Sequence, residues 1–364
     1  MAIDVPKIEK AYARFVFKNL AAGGRRRLWR KLAKMIGNGV QILQAIESIK
    51  ARRIVSGGKS DPETIALEAW SAAMKNGARL SEAITGWVGA EEMMLISAGE
   101  QSGTMPSALQ ATARVLAARK QIGDAVFKGL AYPFFLTLLS FGVLYLFGFK
   151  IVPAFTRVAR GDHWHGWAKA MIEVGLFAQH WLWLMALVFV MLTVLFFASL
   201  SRFDGALRIR LDRYAPYSVY RVMQGSAWLI AIAALVEAGM RIETALEQLS
   251  ATASPWLRRR LEECLAGMRS GRNMGDALAR SGYEFPDREI IDDLGVYSAL
   301  SGFDTALALL GEEWLQESVD QIKMKMTVVF GVSMLIVGSL VAFMAGGMME
   351  MELQMSQTMQ HSMR

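Results

Sequence analysis

Cysteine and histidine are scarce in this chain. Among its 364 residues there is one cysteine, Cys264, and there are four histidines. A single thiol cannot form an internal disulfide, which is typical of a domain that faces a reducing cytoplasm. The histidines show no metal-ligand spacing, and no candidate nucleophile stands with a candidate base. The composition therefore argues against an enzyme, and it predicts neither a bound metal nor a cofactor.

Charged side chains are missing from three long windows. Residues 129–149, 174–201 and 326–349 contain no Asp, Glu, Lys or Arg over 21, 28 and 24 residues, respectively. A helix needs about 20 apolar residues to cross the hydrocarbon core of a bilayer, so each window can cross once. Since 53% of the chain is hydrophobic and the mean hydropathy is +0.28, the windows predict three transmembrane helices rather than core helices of a soluble protein.

Alternating polar and apolar runs, which are typical of β-strands, are also absent. Instead, apolar residues recur at steps of three and four, as in Leu32, Met35 and Ile36. This spacing indicates helices and predicts an all-α fold. Glycines stand where one helix is expected to end and the next to begin, the usual place of a left-handed cap. They are Gly39, Gly77, Gly239 and Gly271.

The chain contains an internal repeat. Three pairs of segments match in the same order, at offsets of about 200 residues, which indicates a duplicated structural unit. The matching segments are 32–46 with 232–246, 74–84 with 268–278, and 102–109 with 301–307. We call the two units repeat 1 and repeat 2. Each is predicted to be a small antiparallel helical bundle that leads into a membrane helix.

The distribution of basic residues predicts the orientation in the membrane. Residues 1–128 carry 20 Lys and Arg against 11 Asp and Glu, and residues 201–325 carry 15 against 18. After Met349 the only basic residue is Arg364. The amino-terminal segment has no apolar region typical of a signal peptide. The positive-inside rule therefore places the amino terminus and both repeats in the cytoplasm and the carboxyl terminus outside it.

One short motif makes a resemblance to a known family specific. The run Gly99-Glu100-Gln101-Ser102-Gly103 precedes a helical stretch that reaches Tyr132-Pro133 at the start of the first window. With two helical repeats around a two-span hairpin, the chain resembles the inner-membrane platform family of type IV pili and type II secretion systems, the type II secretion system F domain. Repeat 2 keeps only Ser301-Gly302 of the motif, which is similar to the bundle-forming and conjugative-pilus branch.

The resemblance implies a non-catalytic platform in the bacterial inner membrane with a periplasmic carboxyl terminus. Its expected partners are a hexameric cytoplasmic ATPase, membrane-embedded pilin subunits and other inner-membrane assembly proteins, and a homo-oligomer is expected. The alternative is a transporter or permease subunit. That alternative predicts polar residues along the spans, and His180 is the only ionisable residue in the three windows apart from tyrosines.

The windows and repeats together predict the domain boundaries. We expect an N-terminal basic amphipathic arm at 1–24, repeat 1 at 25–128, transmembrane helix 1 at 129–151, a short periplasmic loop at 152–173, transmembrane helix 2 at 174–201, repeat 2 at 202–325, transmembrane helix 3 at 326–349 and a periplasmic tail at 350–364. In the arm, Ile8, Tyr12 and Phe15 share one side of a helix, which is typical of a segment at a membrane surface.

The glycine-rich motif is the first candidate partner interface. Gly99 and Gly103 would supply backbone conformations that a side chain would penalise. Glu100, followed by Ser102, would lie beside the free N–H groups of the next helix as a helix-start anion. Two interpretations stay open, a purely structural turn and a turn whose Glu100 contacts a partner.

The second candidate interface is the basic segment 23–34, "GGRRRLWRKLAK". Arg25, Arg26, Arg27 and Arg30 would attract anionic headgroups or an acidic partner surface, or would form a merely solvated face. No nucleic-acid-binding motif accompanies them, so no nucleic acid partner is expected.

Two features of the apolar windows are candidates for function in the membrane. Gly338, Ala342 and Gly346 recur every four residues, which predicts a helix-packing face within the protomer or between protomers. Pro133 removes a backbone hydrogen bond where a helix would enter the lipid, which makes it a candidate pivot.

Two apparent sites are set aside. The run "SGGKS" at 56–60 is similar to a phosphate-binding loop, but Arg53 stands where that loop has its first glycine. His163 and His165 lie beside Trp164 and Trp167, which favours an interfacial anchor over a metal site.

Overall fold

The structure is a computed structural model that describes residues 5–58, 60–158, 164–214, 216–298 and 303–362. Within these ranges the chain is helical and contains no strand, so the all-α prediction is confirmed. The helices are α1 Val5–Asn19, α2 Ala22–Gly37, α3 Ile42–Val55, α4 Pro62–Lys75, α5 Leu80–Ala83, α6 Ala90–Ser102, α7 Met105–Leu146, α8 Val152–Val158, α9 Gly166–Arg202, α10 Ala206–Leu211, α11 Tyr217–Glu237, α12 Ile242–Thr252, α13 Pro255–Arg269, α14 Met274–Ser281, α15 Arg288–Tyr297 and α16 Phe303–Ser362. A π-helical turn, Phe147–Ile151, joins α7 to α8.

The chain divides into two compact units. The repeat unit comprises residues 1–124 and 201–321 and therefore contains both repeats except for their last four residues, 125–128 and 322–325. The membrane unit comprises residues 125–200 and 322–364 and contains the three apolar windows. Helices α7 and α16 each contribute residues to both units.

Aromatic side chains fill the core of repeat 1. Trp29 on α2 stacks on Trp70 on α4 with 5.5 Å between ring centroids. Phe17 on α1 packs edge-on against Trp70 at 5.6 Å. Because Phe17 is fully buried, α1 is part of this bundle, which thus begins before the expected boundary at residue 25. Tyr12 and Phe15 lie on the outer side of α1 and are 66% and 60% exposed.

Repeat 2 is built around α11. Trp228 on α11 and Trp256 on α13 both contact the Phe285 ring, at centroid distances of 5.4 and 5.7 Å. Two buried guanidinium groups share one buried carboxylate, because Asp212 lies 2.9 Å from Arg208 and 3.0 Å from Arg260. Such charges tolerate burial only when they are paired, so this network stabilises one arrangement of α10 and α13.

Four helices, not three, are long and apolar enough to cross a membrane among the described residues. They are Met105–Thr156, Gly166–Arg202, Tyr217–Glu237 and Glu313–Gln357. In the third, which is α11, 83% of the most apolar window is buried inside the protein, against 17%, 0% and 6% in the others. We therefore interpret α11 as the central helix of repeat 2. The number of spans stays a prediction.

The helices of the membrane unit extend beyond the apolar windows. Helix α9 begins at Gly166, inside the expected periplasmic loop, and α16 continues through the expected tail to Ser362. The end of α16 contacts the start of α9. The carboxylate of Glu350 accepts hydrogen bonds from the N–H groups of Trp167 at 2.6 Å and Ala168 at 3.1 Å.

The side-chain amide of Gln354, one helical turn further, hydrogen-bonds to both the N–H and the carbonyl of His165. The N–H of His165 donates to Gln354 Oε1 at 3.3 Å, and Gln354 Nε2 donates to His165 O at 3.1 Å. A carboxylate at a helix start is favourable because the first N–H groups of a helix have no partner within it. The two side chains therefore hold the start of α9 in place.

Candidate functional site

The glycine-rich motif forms the sharp connection between α6 and α7. Helix α6 ends at Ser102, and Gly103 adopts the left-handed conformation with a φ of +75°. This position favours glycine, as expected. Gly99 lies inside α6 and is needed for a different reason: a Cβ there would lie 2.2 Å from the Cβ of Ala108. Gly99 thus permits α6 and α7 to pack closely.

Glu100 caps a different helix from the expected one. Its carboxylate accepts hydrogen bonds from the N–H of Leu80 at 2.8 Å and from the N–H of Ser81 at 3.2 Å, at the start of α5. The Ser81 hydroxyl adds a third bond at 2.5 Å. Side chains tilt toward the amino terminus of their helix, so Glu100 extends back toward the preceding element and not forward to α7. Both oxygens are engaged within repeat 1, which favours the structural interpretation.

The same turn contacts repeat 2. Ser102 Oγ and Thr104 Oγ1 lie 2.7 and 3.0 Å from the carbonyl oxygen of Ala238, at the end of α11. Gly239, with a φ of +90°, follows, and a Cβ there would lie 3.1 Å from the Cβ of Ser102. The motif therefore joins the two repeats in addition to ending α6. Thr104 was not predicted as a site residue, because its only signal in the sequence is a hydroxyl two residues after Ser102.

Polar side chains continue this contact along α7. Arg114 pairs with Glu237 on α11, and Gln121 donates to Gln316 on α16 at 3.1 Å. Between the helices lies a cleft of about 320 Å³, whose floor is made of small and aliphatic residues. Interfaces of this kind, polar at the edge and thinly packed, hold domains together less tightly than a shared core does.

The structure separates the four arginines of the basic segment. Arg25 is buried and pairs with Glu92 at 3.1 Å, and it also donates to the carbonyl of Lys18 at 2.7 Å. It is therefore part of the core of repeat 1 and does not belong to a basic surface. Arg26 is half-buried, and Arg27 and Arg30 are exposed.

The small-residue strip of α16 is uncovered at Gly338 and Ala342, whereas a Cβ at Gly346 would lie 3.7 Å from the Trp167 ring of α9. Gly338, Ala342 and Gly346 are all exposed. The close approach of α16 to α9 involves Gly347 instead, where a Cβ would lie 2.6 Å from the sulfur of Met171. Of the two predicted uses of the strip, we therefore keep packing between protomers.

Pro133 does not interrupt its helix. It is buried, and α7 continues past it to Leu146. The Thr137 hydroxyl donates to the Pro133 carbonyl at 2.8 Å, and the neighbouring Tyr132 ring packs on Phe330 at 4.8 Å. A pivot at Pro133 stays a prediction.

The sites set aside are partly described. Lys59 of the "SGGKS" run, His163 of the loop and Ser301-Gly302 of repeat 2 lie outside the described residues. Among the residues that the structure describes, no three His, Cys, Asp or Glu side chains are grouped as a metal site. His180 is exposed, and its Nδ1 lies 2.9 Å from the carbonyl of Leu176 in its own helix.

Comparison with known proteins gives two similarities. The family described as type II secretion system (T2SS), protein F, matches residues 28–153 and 228–350. This doubled match agrees with the internal repeat, and each matched segment includes an apolar helix. Toxin coregulated pilus biosynthesis protein E of Vibrio cholerae serotype O1 is 22% identical over 290 residues, which are 79% of this chain and 83% of that protein.

Proposed function

The chain belongs to the type II secretion system protein F family, and on this basis we propose that it is the inner-membrane platform on which a hexameric cytoplasmic ATPase drives the assembly of pilin subunits. The machine is a type IV pilus or a type II secretion system. The named similarity to a pilus biosynthesis protein supports the first of these. The excess of basic residues beside the apolar windows supports a cytoplasmic location for both repeats.

One observation carries the proposal: the Gly99–Gly103 turn is bonded to both repeats at the point where α7 begins. Glu100 holds α5 of repeat 1, while Ser102 and Thr104 hold the end of α11 in repeat 2. Helix α7 then continues without interruption to Leu146, within the first apolar window. A force applied by a motor to either repeat would therefore act on the start of one helix that leads to the membrane.

The platform itself has no catalytic role in this proposal. Its contribution is to bind the motor on the cytoplasmic side and the apolar helices of the pilins in the membrane. The exposed aromatic and aliphatic side chains of α9 and α16 are suited to contacts with other apolar helices.

Co-purification from detergent after crosslinking in cells tests the proposal. We expect an ATPase and a pilin in the eluate with the wild-type chain. Replacing Ser102→Ala together with Thr104→Val should leave the chain in the membrane but reduce pilus output, because the two repeats lose their shared hydrogen bonds. Gln101→Ala is the matched control, since Gln101 is exposed and donates to Ser97 within its own helix, α6.

Two results would contradict the proposal. One is the recovery of neither an ATPase nor a pilin under conditions that preserve the folded chain. The other is transport of a small solute by the purified chain in liposomes, which would favour the permease alternative.

A further inference from the structure

The two repeats contain the same helix-to-helix turn. Asn38-Gly39 connects α2 to α3, and Ala238-Gly239 connects α11 to α12. The φ angles of Gly39 and Gly239 are +85° and +90°. Their N–H groups donate to the carbonyls of Ile36 and Val236, each at 2.9 Å. The backbone surface that each turn presents is therefore nearly the same.

One of these turns is occupied and the other is open. Ala238-Gly239 is covered by Ser102 and Thr104, whose hydroxyl oxygens lie within 3.0 Å of Ala238 O. Asn38 and Gly39 are exposed, and a Cβ at Gly39 would meet nothing within 4 Å among the described residues. The chain thus binds one turn of this shape within itself and presents others to the outside, since Gly77 and Gly271 have similar φ angles of +90° and +86° and also meet nothing within 4 Å among the described residues. Of the open turns, Asn38-Gly39 is the one that follows the basic residues of α2.

The charges around the two turns are reversed. At the occupied turn the incoming helix α7 supplies the cation, Arg114, and α11 supplies the anion, Glu237. At the open turn, α2 itself supplies the cations. Its exposed basic residues at steps of three and four form one face, which we call the basic face, and they are Arg27, Arg30, Lys31 and Lys34.

Repeat 2 presents a surface of opposite charge. Exposed carboxylates from α15 and α16 form this acidic face, and they are Glu289, Glu313 and Glu317. Glu289 and Glu317 line the same cleft, and Glu313 lies one helical turn before Glu317 on α16. The repeat alignment places α16 at the position that α7 has in repeat 1, and Glu313 within one residue of the counterpart of Arg114.

We propose that a second molecule of this chain docks the acidic face of its repeat 2 on the basic face and the Asn38-Gly39 turn of the first. The ion pair between Arg114 and Glu237 within one molecule thereby has a counterpart of exchanged charge between molecules. Such an interface is heterologous, because two different surfaces meet, and it can continue from one molecule to the next. It does not depend on the motor or on pilins.

Charge reversal of both faces tests the interface. Two differently tagged full-length chains are co-expressed and one is purified in detergent at low ionic strength. Lys31→Glu with Lys34→Glu, or Glu313→Lys with Glu317→Lys, should each reduce recovery of the other tag about tenfold, because like charges then meet. For a chain that carries all four changes, the amount of the second tag should return to the wild-type level, since opposite charges meet again.

A matched control and a second measurement separate docking from folding. Arg272→Glu with Arg280→Glu reverses two exposed cations of repeat 2 outside both faces and should leave recovery unchanged. A photo-crosslinking amino acid at position 38 should give a crosslinked dimer that contains both tags, whereas one at position 238, where the side chain is 1% exposed, should not.

Several outcomes would overturn the proposal. The first is a wild-type chain with which no second tag co-purifies, and the second is full co-purification when only one face is reversed. The third is a variant with all four substitutions that stays dissociated although its thermal unfolding is normal. The fourth is a crosslink at position 38 to lipid or to another protein only.

Discussion

Glu100 and Arg25 are residues whose chemistry was predictable and whose neighbours were not. For Glu100 a structural turn and a partner contact were both open, and Arg25 was expected on a basic surface; both side chains are bonded inside repeat 1. The anion of Glu100 does cap a helix, but this helix is α5, and Arg25 pairs with Glu92, 67 residues away. Gly103 could be predicted because a left-handed cap is a local property of the backbone. The partners of charged side chains depend on which helices pack together. The local spacing of residues gives no information about that packing.

The bonds of Glu100 give a prediction at the residue scale. Glu100→Ala leaves the N–H groups of Leu80 and Ser81 without their acceptor and should lower the free energy of unfolding by about 1–2 kcal/mol. Glu100→Gln retains one acceptor oxygen and should lose less. Unfolding of the full chain in detergent, followed by circular dichroism, measures both. An unchanged midpoint for Glu100→Ala would show that water replaces the carboxylate without cost.

At the scale of single helices, periodicity predicted helices well and their surroundings less well. The charge-free windows include parts of α7, α9 and α16. Helix α11 gave no such window, because its apolar stretch is limited by Arg221 on one side and Glu237 on the other and is too short. Its apolar residues serve the core of repeat 2, a distinction that depends on burial. The extension of α9 and α16 past the windows was missed because polar helical residues such as Glu350 carry no hydropathy signal.

Helix α16 has two faces that should respond differently to a larger side chain. Gly347→Leu would collide with Met171 and should lower the thermal stability of the chain in detergent. Ala342→Leu adds bulk on the exposed strip, so it should leave stability unchanged but weaken association between molecules. Thermal unfolding and crosslinked oligomer size measure the two effects. Normal oligomers and normal pilus output with Ala342→Leu would show that the strip only faces lipid.

Helix α7 gives a second prediction at this scale. Pro133→Ala would restore the backbone donor that proline lacks and would stiffen the helix at its entry into the apolar window. We expect co-purification of the ATPase to be retained and pilus output to fall. Thr137→Val, which removes only the hydroxyl bonded to Pro133 O, is the control. Pili assembled at the normal rate by Pro133→Ala cells would end the pivot hypothesis.

For the whole molecule, the internal repeat and the charge asymmetry were the most informative features of the sequence. Three aligned segments were enough to predict two bundles, which the doubled family match supports. The contact between the bundles was not predictable, since Ser102 and Ala238 are 136 residues apart and carry no complementary charge. Orientation in the membrane remains a prediction from basic residues alone.

Cysteine labelling in intact cells tests that orientation. Ser356→Cys and His165→Cys should react with a membrane-impermeant thiol reagent, and Ser60→Cys, on the exposed surface of repeat 1, should not. The native Cys264 should give little background, because burial raises the pKa of its thiol to about 12 and keeps it protonated at neutral pH. Labelling at Ser60→Cys in unlysed cells would reverse the assignment, and reaction at every position after lysis is the control.

The contact of Glu350 and Gln354 with the start of α9 has a consequence for biosynthesis. The ribosome makes His165 and Trp167 long before it makes Glu350, so the first N–H groups of α9 have no side-chain acceptor while the chain is still growing. The membrane unit acquires these hydrogen bonds only after Glu350 and Gln354 have been translated. A chain that stops before Glu350 would keep all three apolar windows and still lack the carboxylate that caps the start of α9.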